Sequence, residues 1–518
     1  MSTDKIANPT NYQLQAVIPD RFAVGWKSAL VCGLYVFMFL YFGYLPAASP
    51  DIWSSIVAGA NKFQATSWLP LADGIRSIDL APIGNRLISV SYQVGGLELL
   101  TFQFAFVVTA SLLVWSSVCS WLTARSSGAF GGIVVGALCL PFFHGLTPAV
   151  LGWFLLSVLA FCLVRQTCND QDGAVCLRVS EADYRYHVAT VLLLAVWANI
   201  HGSFVIGLSW LGCFVVARFA TLVRVHNIRA TCTDRELQSR VWLLEFATLA
   251  TLLTPNGINL WKSLLWWPDN PFANTFGGYA PMVLASWSGA AIVVAWVVAV
   301  IVIRQRTVSL EWFLPPIALS IVAAFCSSVV FWFVPVMAFA LCAVTGEPVN
   351  TPDRRVAEVG HQQRTLKFGF TLVAGLFIWT GICLAPWSGH AVGGKTRSES
   401  QLIGAQFPAA ASEYLAANAN KELFFCPASW SDWLQVRFDV PVFMSANTIR
   451  LPQSTQRDYQ LIYEGEGNWK RVAQKYALTQ LLVDRKKQPE LVRRIRQDPG
   501  EWRLQYEDDQ VLFLTTKS

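Results

Sequence analysis

Residues 29–53 have the sequence ALVCGLYVFMFLYFGYLPAASPDIW. The apolar run that begins at Ala29 is long enough to cross a lipid bilayer, which takes about 20 residues of helix. It ends in a turn rich in Pro, Ala and Ser, directly before the triplet Asp51-Ile52-Trp53. Because no convincing small-residue cleavage site accompanies this run, we interpret it as a retained start-transfer helix and not as a signal peptide.

Further apolar runs follow this first one, which we place at 28–48. They lie at 101–123, 128–144, 147–164, 187–200, 203–223, 241–258, 288–303, 310–327, 328–345 and 368–387. The chain of 518 residues is 54% hydrophobic and 14% charged, whereas soluble domains carry roughly 25% charged residues. The sequence therefore predicts a mainly α fold, a polytopic transmembrane helical bundle of about 11 spans. The short runs 187–200 and 288–303 are alternatively half-buried or re-entrant segments.

Lys and Arg are unevenly distributed among the gaps between these runs. Every second gap, beginning with the N-terminal tail, is rich in them. The alternate gaps up to the last run contain only Lys62, Arg76, Arg86 and Lys262. Retained positive charge marks the cytoplasmic side of a membrane protein, so we expect a multi-pass protein with a cytoplasmic N-terminus. The net charge of +6 is explained by the cytoplasmic loops and requires no nucleic-acid partner.

The same topology divides the chain into three regions. Residues 1–27 form a cytoplasmic tail, 28–388 form the transmembrane helical domain, and 389–518 form an extracytoplasmic domain. The transmembrane domain includes a long outer loop at 49–100, in which the apolar spacing after Asp51 predicts a helix on the membrane surface.

Beyond residue 389 the sequence becomes polar, and short helical and strand-like patterns alternate. We expect strands at 423–426, 440–444 and 480–483, and an antiparallel hairpin formed by 502–506 and 511–515. Strands that alternate with helices predict a small α/β layer domain.

Asp51 is the candidate catalytic residue, because it follows the first span at the lipid–water boundary. Partial loss of hydration raises the pKa of a carboxyl group there and suits it to act as a general base. The competing interpretation is structural, since Ser49-Pro50-Asp51 is favourable chemistry for the start of a helix. One residue can serve both purposes.

His201 lies in the break Asn199-Ile200-His201-Gly202 between two predicted spans. Polar groups at membrane depth are costly and are often functional, so His201 is a candidate for substrate binding. A structural histidine that closes the turn between two helices is an equal alternative. His144, which ends another outward-facing helix beside Gly145, is a weaker candidate.

Arg76, Arg86 and Lys262 are cations of the predicted outer loops. They are candidates for binding a phosphate, which Arg can contact through two parallel hydrogen bonds. Ordinary pairing with Asp73, with Asp79 or with lipid headgroups is the alternative.

The chain offers no spacing that is typical of a metal site. It has 12 Cys, but they form no CxxC pair, and most of them lie inside apolar runs, which disfavours zinc or redox chemistry. We predict no metal ligands and no soluble cofactor, and leave open whether a divalent cation takes part.

Several short motifs at these places resemble those of a large bacterial group of multi-spanning membrane proteins, which is related to the C-type glycosyltransferases that use lipid-phosphate-linked sugars. In the apolar part the motifs are Asp51-Ile52-Trp53, Leu69-Pro70, Pro82-Ile83-Gly84-Asn85-Arg86 before Gly95-Gly96, Trp197-Ala198-Asn199-Ile200-His201-Gly202-Ser203 and Leu253-Thr254-Pro255-Asn256-Gly257. In the tail they are Trp430-Ser431-Asp432-Trp433-Leu434, Pro441-Val442-Phe443 and Trp502-Arg503-Leu504-Gln505-Tyr506-Glu507-Asp508.

The resemblance implies an inverting transfer of a sugar from a polyprenyl-phosphate donor to a glycan or protein acceptor, on the outer face of a bacterial inner membrane. In that superfamily a carboxylate of the first outer loop activates the acceptor, and this role maps onto Asp51. Arg76, Arg86 or Lys262 would then neutralise the departing phosphate, and the surface of 261–270 would hold the lipid. The expected partners are the bilayer, the lipid donor and the acceptor.

Two other functions compete with a transferase. A non-catalytic membrane scaffold, whose outer domain binds a partner or an envelope polymer, is slightly favoured by Ser54-Ser55, which stand where members of the group often have Trp-His. A transporter is disfavoured, because the predicted spans contain almost no ionisable residues and no inverted repeat is visible.

Overall fold

The computed structural model describes residues 24–60, 69–72, 78–123, 128, 130–169, 175–177, 184–225, 228–265, 281–304, 309–345, 361–391, 393, 395–418, 420–446, 451–497, 500 and 502–516. The described chain is mainly helical. It also contains a two-stranded sheet and, near the C-terminus, a four-stranded sheet.

The helices between Trp26 and Ala391 form one group. They are α1 (Trp26–Tyr44), α2 (Pro50–Gly59), α3 (Pro82–Thr123), α4 (Gly131–Cys139), α5 (Pro148–Val164), α6 (Tyr184–Ile200), α7 (Phe204–Val225), α8 (Ile228–Cys232), α9 (Arg235–Ala250), α10 (Ile258–Leu265), α11 (Trp287–Ile303), α12 (Leu310–Phe325), α13 (Val330–Thr345), α14 (His361–Leu384) and α15 (Pro386–Ala391). Strands β1 (Thr167–Asn169) and β2 (Val175–Leu177) pair antiparallel between α5 and α6.

The apolar runs of the sequence are helices in the structure. Among the described residues, α1, α3, α7 and the segment Ser327–Thr345 that includes α13 are long and apolar enough to cross a membrane. Shorter apolar helices accompany them, at Gly131–Phe142, Pro148–Val164, Trp287–Ile303, Leu310–Phe325 and Gly369–Leu384. These helices indicate a membrane protein. Each predicted span overlaps a helix, whereas the total of about 11 crossings stays a prediction.

The bounds of one predicted span need correction. The expected helix 241–258 begins earlier, at Arg235, and ends at Ala250. Pro255 has no N–H to donate to a helical bond, and Gly257 adopts φ +49°. The residues from Thr254 to Gly257 therefore form a turn that connects α9 to α10.

Helix α3 consists of two helices joined at a kink. Gly95 (φ −140°, ψ 16°) and Gly96 (φ 61°, ψ −156°) leave the helical region, and the second of these conformations is essentially restricted to glycine. The part beyond the kink contains the predicted span 101–123. The part before it, from Pro82, is a helix that the sequence analysis did not identify within the outer loop.

Aromatic rings fill the interior of the helical part. Trp153 is fully buried and stacks on Phe331, with ring centroids 5.4 Å apart and planes at 14°. Its indole N–H donates to the carbonyl oxygen of Phe331 at 3.2 Å, which satisfies a polar atom that burial would otherwise penalise. Phe143 packs edge-on against both rings. This core anchors the segment that continues into His144.

A buried ionic cluster ties α7, α9 and α12 together. The Arg240 side chain is 4% exposed, and its Nε–H donates to Glu236 at 3.0 Å. Its Nη1–H donates to Glu311 at 2.9 Å and to the carbonyl oxygen of Phe214 at 3.1 Å. Hydrogen bonds to both carboxylates offset the cost of removing these charges from water.

The C-terminal part combines short helices with the four-stranded sheet. Its helices are α16 (Glu399–Ile403), α17 (Ser412–Asn418), α18 (Ala428–Phe438), α19 (Gln453–Glu464), α20 (Trp469–Lys475) and α21 (Pro489–Gln497), and its strands are β3 (Phe424–Phe425), β4 (Gln480–Asp484), β5 (Trp502–Glu507) and β6 (Val511–Thr516).

The sheet has the strand order β3-β4-β6-β5. Strand β3 runs parallel to β4, and the other pairs are antiparallel, so the predicted final hairpin is confirmed. The expected strand 440–444 is wrong: in the described chain this segment makes only an isolated bridge, from Val442 to Phe424. Helix α19 was not predicted. Phe424 and Phe513 stack at 5.8 Å across the sheet and form part of its core.

The C-terminal part packs directly on α2. Helix α18 contacts α2, and Trp53 lies edge-on to Phe407 with ring centroids 6.0 Å apart. The Ala47 N–H donates to the carbonyl oxygen of Leu402 at 2.6 Å. The short helix that carries Asp51 is therefore held between α3 and the C-terminal part.

Candidate functional site

Asp51 lies in the first turn of α2. Ser49, and not Asp51, is the N-cap: its Oγ accepts the Asp51 N–H at 3.2 Å, and Pro50 occupies the first helical position. The Asp51 carboxylate is therefore not needed as a cap, although a negative charge in the first turn is favourable for the helix dipole. Because Ser49 caps the helix, the Asp51 carboxylate is available to take part in a reaction.

The Asp51 carboxylate is accessible to solvent, yet protein atoms surround it closely. The resulting loss of hydration raises the pKa of Asp51, while the Ser49 hydroxyl and the charge of His144 act in the opposite direction. Burial lowers the pKa of His144, and the Asp51 carboxylate partly counteracts this effect. The charge of each side chain thus acts on the pKa of the other.

The main chain of His144 holds the start of α2. Its carbonyl oxygen accepts the N–H groups of Ala48 and Ser49, each at 3.2 Å. From the sequence alone, His144 is a weaker candidate than His201. Its position at an outward helix end beside Gly145 was the available indication, but its proximity to Asp51 depends on how these distant segments pack.

Arg86 contacts the opposite end of the same helix. Its Nη1–H donates at 2.8 Å to the carbonyl oxygen of Gly59, the last residue of α2. A cation at a helix C-terminus is favourable for the helix dipole. Asp51 and Gly59 are separated by about 12 Å along the helix axis, at roughly 1.5 Å per residue. Arg86, which is a residue of α3, therefore contacts the C-terminal end of α2 and not the Asp51 carboxylate.

Asp79 was one of the residues with which Arg86 could have formed an ion pair. The hydrogen bonds of Asp79 are instead with other residues. Its Oδ1 accepts the N–H of Ala81 at 2.9 Å and the Nδ2–H of Asn85 at 2.8 Å. Its carbonyl oxygen accepts the Nδ2–H of Asn256 at 2.7 Å. Asp79 thereby joins the segment before α3 to the turn after α9.

His201 closes the turn between α6 and α7, as its structural interpretation required. The Trp197 indole N–H donates to Ser203 Oγ at 3.0 Å, and that hydroxyl lies 2.8 Å from His201 Nδ1. The Ser203 backbone N–H also donates to Nδ1, at 3.2 Å. Because Nδ1 accepts a hydrogen bond, these contacts assign the proton of the neutral ring to Nε2.

The environment of His201 favours the neutral ring. Its imidazole stacks on Trp332, with ring centroids 6.3 Å apart and planes at 16°. Burial lowers the pKa of His201 to about 4. His201 therefore carries no positive charge near pH 7 and can present only an N–H donor to a ligand.

Three of the sequence motifs meet around this turn. Asn199 donates through Nδ2 to the carbonyl oxygen of Leu253 at 2.9 Å. Gly84 approaches so closely that a Cβ there would lie 2.4 Å from the Ile200 carbonyl oxygen. A Cβ on Gly202 would lie 2.9 Å from Leu264 of α10. The start of α3, the turn between α6 and α7, and the end of α10 are therefore packed together.

Of the remaining site residues predicted from the sequence, the structure describes Lys262. Lys262 is exposed on α10, the helix that packs over the His201 turn. Arg76, and residues 266–270 of the predicted lipid surface, lie outside the described residues. Within the part of the chain that the structure describes, no group of three or more His, Cys, Asp or Glu side chains could hold a metal ion.

The tail motif around Asp432 has a structural role. Trp430 and Trp433 are buried in α18. The Asp432 carboxylate, 1% exposed, accepts the Ser445 hydroxyl at 3.1 Å and the Ala446 N–H at 3.2 Å. These bonds fix the segment after Val442 against α18.

No protein-family model and no curated protein matches this chain. Solved structures do match it. The crystal structure of the Archaeoglobus fulgidus oligosaccharyltransferase, tethered through a disulfide bond to an acceptor peptide with the NVT sequon, aligns with a TM-score of 0.52. The fold resembles that of an oligosaccharyltransferase. The alignment covers 95% of this chain and 74% of that chain at 10% identity, so the similarity concerns the fold.

A further structure of the archaeal oligosaccharyltransferase AglB from the same organism contains an inhibitory peptide and a dolichol-phosphate. It aligns with a TM-score of 0.49 at 10% identity, over 92% of this chain and 70% of that chain. The relation to the C-type glycosyltransferases stays an expectation, since at 10% identity the first structure shows similarity of the fold alone.

Proposed function

We propose that this chain transfers a sugar from a polyprenyl-phosphate-linked donor to a glycan or protein acceptor on the outer face of a bacterial inner membrane. One observation carries the proposal: Asp51 stands in the first turn of a helix whose start is held by the His144 carbonyl oxygen, in an oligosaccharyltransferase-like fold. The archaeal neighbour was solved with an acceptor peptide, which supports an acceptor-modifying reaction.

Asp51 is the general base of the proposed reaction. It takes the proton of the acceptor's nucleophilic group while that group attacks the anomeric carbon of the sugar. The bond between this carbon and the phosphate oxygen breaks, and the lipid phosphate leaves with the electron pair. The raised pKa of Asp51 suits this role, because a base is most effective when its pKa lies near the working pH.

Cations around the site stabilise the leaving phosphate. Lys262 and Arg86 are exposed, and Arg86 uses one N–H on Gly59 out of the several that a guanidinium offers. Arg76 is assigned the same role. His201 contributes a neutral Nε2–H donor. Positioning and such electrostatic stabilisation account for the catalysis.

The topology follows the charge distribution. With the N-terminus in the cytoplasm, the proposal assigns Asp51 and residues 389–518 to the extracytoplasmic side. The direct contact between Trp53 and Phe407 supports this, because it requires α2 and the C-terminal part to lie on the same side of the bilayer.

An Asp51→Asn variant tests the proposal in a strain that lacks the chromosomal copy. We expect Asp51→Asn to insert normally but to lower the formation of the envelope glycan by about 100-fold or more, as for loss of a general base. Asp509→Asn is the matched control, since Asp509 is exposed in the turn between β5 and β6. An unchanged glycan profile in the deletion strain would refute the transferase.

A non-catalytic scaffold remains the second candidate, and the contact between α2 and the C-terminal part favours it. Ala47 and Leu402 are bonded at 2.6 Å, so the two parts form a continuous surface that a partner could bind. The scaffold makes the opposite prediction, namely that Asp51→Asn complements the deletion strain fully.

A further inference from the structure

We propose that a groove between α7 and α9 binds one phospholipid of the surrounding bilayer, with the ammonium group of the lipid at Glu245 and its phosphate beside Arg235. This lipid groove is lined by residues within 215–219 and 237–245 and by Cys232. It begins about 16 Å along α7 from the His201 turn, at roughly 1.5 Å per residue. The inference therefore concerns a second site and goes beyond the proposed sugar transfer.

The lipid groove has a volume of about 690 Å³ and is open on one side. Most of its lining is apolar, namely Val215, Val216, Phe219, Leu237, Val241 and Trp242. Phe219 and Trp242 are 42% and 56% exposed. Helix α7 is long and apolar enough to cross a membrane, and hydrocarbon chains cover the exposed apolar surface of such a helix. An acyl chain therefore fits this part of the groove.

The sequence of α9 indicates where the lipid groove meets the edge of the bilayer. Residues 235–240 include two arginines and a glutamate, whereas residues 241–250 are apolar apart from Glu245 and Thr248. Trp242 stands at the boundary, and Trp is enriched at the interface between membrane and water. Glu245 lies about 4.5 Å further along the axis. Its carboxylate is thus close to the level of the lipid headgroups.

The Glu245 carboxylate is the group that calls for a positively charged ligand. Glu245 lines the lipid groove and is exposed. Within the part of the chain that the structure describes, it makes no ion pair and no hydrogen bond. A carboxylate at membrane depth is costly without a partner, and an ammonium group supplies both the opposite charge and N–H donors. The rings of Trp242 and Phe246, stacked with centroids 5.8 Å apart, also attract a cation.

Arginines stand at the other end of the lipid groove. Arg235 precedes Gln238 by three residues, and helical residues at this spacing are neighbours. Arg229 precedes Cys232 by the same interval. Gln238 and Cys232 both line the groove, and the Gln238 Nε2–H donates to the Cys232 carbonyl oxygen at 3.0 Å. Both arginines are exposed, and neither has an ion pair among the described residues. They are therefore available to bind a phosphate.

The other charged groups of this region are already paired. Asp234 accepts the Nε–H of Arg218 at 3.3 Å and its Nη2–H at 3.1 Å, and it also caps α9. Arg240 is buried with Glu236 and Glu311. The charges that remain for a ligand are the carboxylate and the two arginines at the lipid groove.

The separation of these charges fits the headgroup of a phospholipid. Arg235 and Glu245 lie about 15 Å apart along the axis of α9, at roughly 1.5 Å per residue. Their side chains form no ion pair with each other, and the distance leaves room for a phosphate and an ammonium group in line between them. A phospholipid without the ammonium group would bring only negative charge towards Glu245 and leave that carboxylate without a partner.

Native mass spectrometry of the purified full-length protein tests the headgroup. The protein is released from vesicles of phosphatidylethanolamine and phosphatidylglycerol in equal parts, two lipids that share the phosphate and differ in the ammonium group. We expect the wild type to retain one phosphatidylethanolamine. Glu245→Gln should lower the ratio of retained phosphatidylethanolamine to phosphatidylglycerol by about 10-fold, as for the loss of a hydrogen bond to a charged group.

Glu413→Gln is the matched control for this substitution, because Glu413 is exposed on α17, away from the lipid groove. Its ratio of retained lipids should equal that of the wild type. An unchanged ratio in Glu245→Gln would overturn the assignment of the ammonium group.

A second set of variants tests the position of the lipid. Val216→Trp places a large ring in the groove and should abolish the retention of both lipids. Val298→Trp, on α11, is the control, since Val216 and Val298 are 56% and 42% exposed. Arg235→Gln should weaken the retention of both lipids equally, because both carry the phosphate.

Lipid retained by Val216→Trp would overturn the groove as the binding site. A second copy of the chain bound in place of the lipid would also overturn it and identify the surface as a protein interface. No measurement in either set depends on sugar transfer, so the failure of one proposal is distinguishable from the failure of the other.

Discussion

The Arg397 guanidinium binds both carboxylate oxygens of Glu98. Its Nε–H lies 3.1 Å from Oε1 and 3.2 Å from Oε2, and its Nη2–H donates to Oε2 at 2.7 Å. The Nη2 group also donates to Thr101 Oγ1 at 2.7 Å. Glu98 follows the Gly95–Gly96 kink of α3, and Arg397 precedes α16. The ion pair therefore fastens the C-terminal part to the helical bundle at the kink.

Loss of this pair should loosen the C-terminal part. The two side chains are only 12% and 17% exposed, so Glu98→Gln leaves a poorly solvated guanidinium with weaker acceptors. We expect the free energy of unfolding to fall by about 2 kcal/mol, as for hydrogen bonds to charged groups. Thermal unfolding in detergent and protease sensitivity of residues 395–516 measure the effect. The exposed pair Arg437–Glu399 is the control, since Arg437→Gln should cost about 1 kcal/mol or less.

Gly96 should tolerate no side chain. Its backbone, at φ 61° and ψ −156°, is in a region that costs other residues about 1–3 kcal/mol. Gly96→Ala should therefore lower the thermal unfolding temperature, although no atom would lie within 4 Å of the new Cβ. Gly212→Ala is the matched control: its Cβ would also be unobstructed, but α7 is helical there, so we expect a gain of about 0.4–1 kcal/mol. A stable Gly96→Ala protein would contradict the conformational argument.

Removal of the Arg240 side chain should be among the most destabilising single substitutions in the bundle. Arg240→Met leaves the carboxylates of Glu236 and Glu311 buried near each other without their shared cation. The expected loss is about 3–5 kcal/mol, measurable as a lower midpoint of unfolding by denaturing detergent. Arg218→Met provides the comparison, because the Arg218–Asp234 pair is 33% and 23% exposed and should contribute about 1 kcal/mol or less.

His201 should make the folded protein sensitive to acid. Its pKa is about 4 in the folded protein and about 6.5 when unfolded, so between these values the unfolded chain binds more protons. Stability therefore falls as pH decreases from about 6.5 to about 4 and is unaffected by this group above that window. We expect a plot of unfolding temperature against pH to be less steep in this window for His201→Asn. An identical slope for the wild type and the variant would show that His201 is not buried as a neutral ring.

The sequence predicted the helical elements well because their pattern is local. The apolar runs 147–164, 288–303 and 310–327 coincide closely with α5, α11 and α12. The strand prediction at 480–483 is matched by β4, whose residues are all buried. In each case the period and the apolar content of one short segment are sufficient to predict the element.

Local sequence patterns did not predict the structure where contacts with distant segments, or glycine residues, determine it. The segment at 440–444 has strand-like residues, but in the described chain it forms only the bridge from Val442 to Phe424. Helix α19 is amphipathic but polar, and it was not predicted from the sequence. The first half of α3 lies in a segment that ends at Gly95 and Gly96. Because of these glycines, the segment was predicted to be part of the outer loop.

The candidate site was also predicted from the sequence only in part. Asp51 and His201 could be selected from their places at the ends of apolar runs. The choice between their alternative roles required the structure, which shows Ser49 as the cap of α2 and a bonded, neutral His201 ring. The roles of Arg76, Arg86, Lys262 and His201 in substrate binding stay predictions.

Hydropathy and periodicity act over a few residues, and for this reason the sequence alone predicts a mainly helical chain with long apolar helices and a small sheet in its last part. Three contacts appear only in the folded protein: the His144 carbonyl oxygen holds the start of α2, Arg86 contacts the end of α2, and Arg397 binds Glu98. These pairs are far apart in the chain, and their proximity results from the packing of whole helices, which no local pattern encodes.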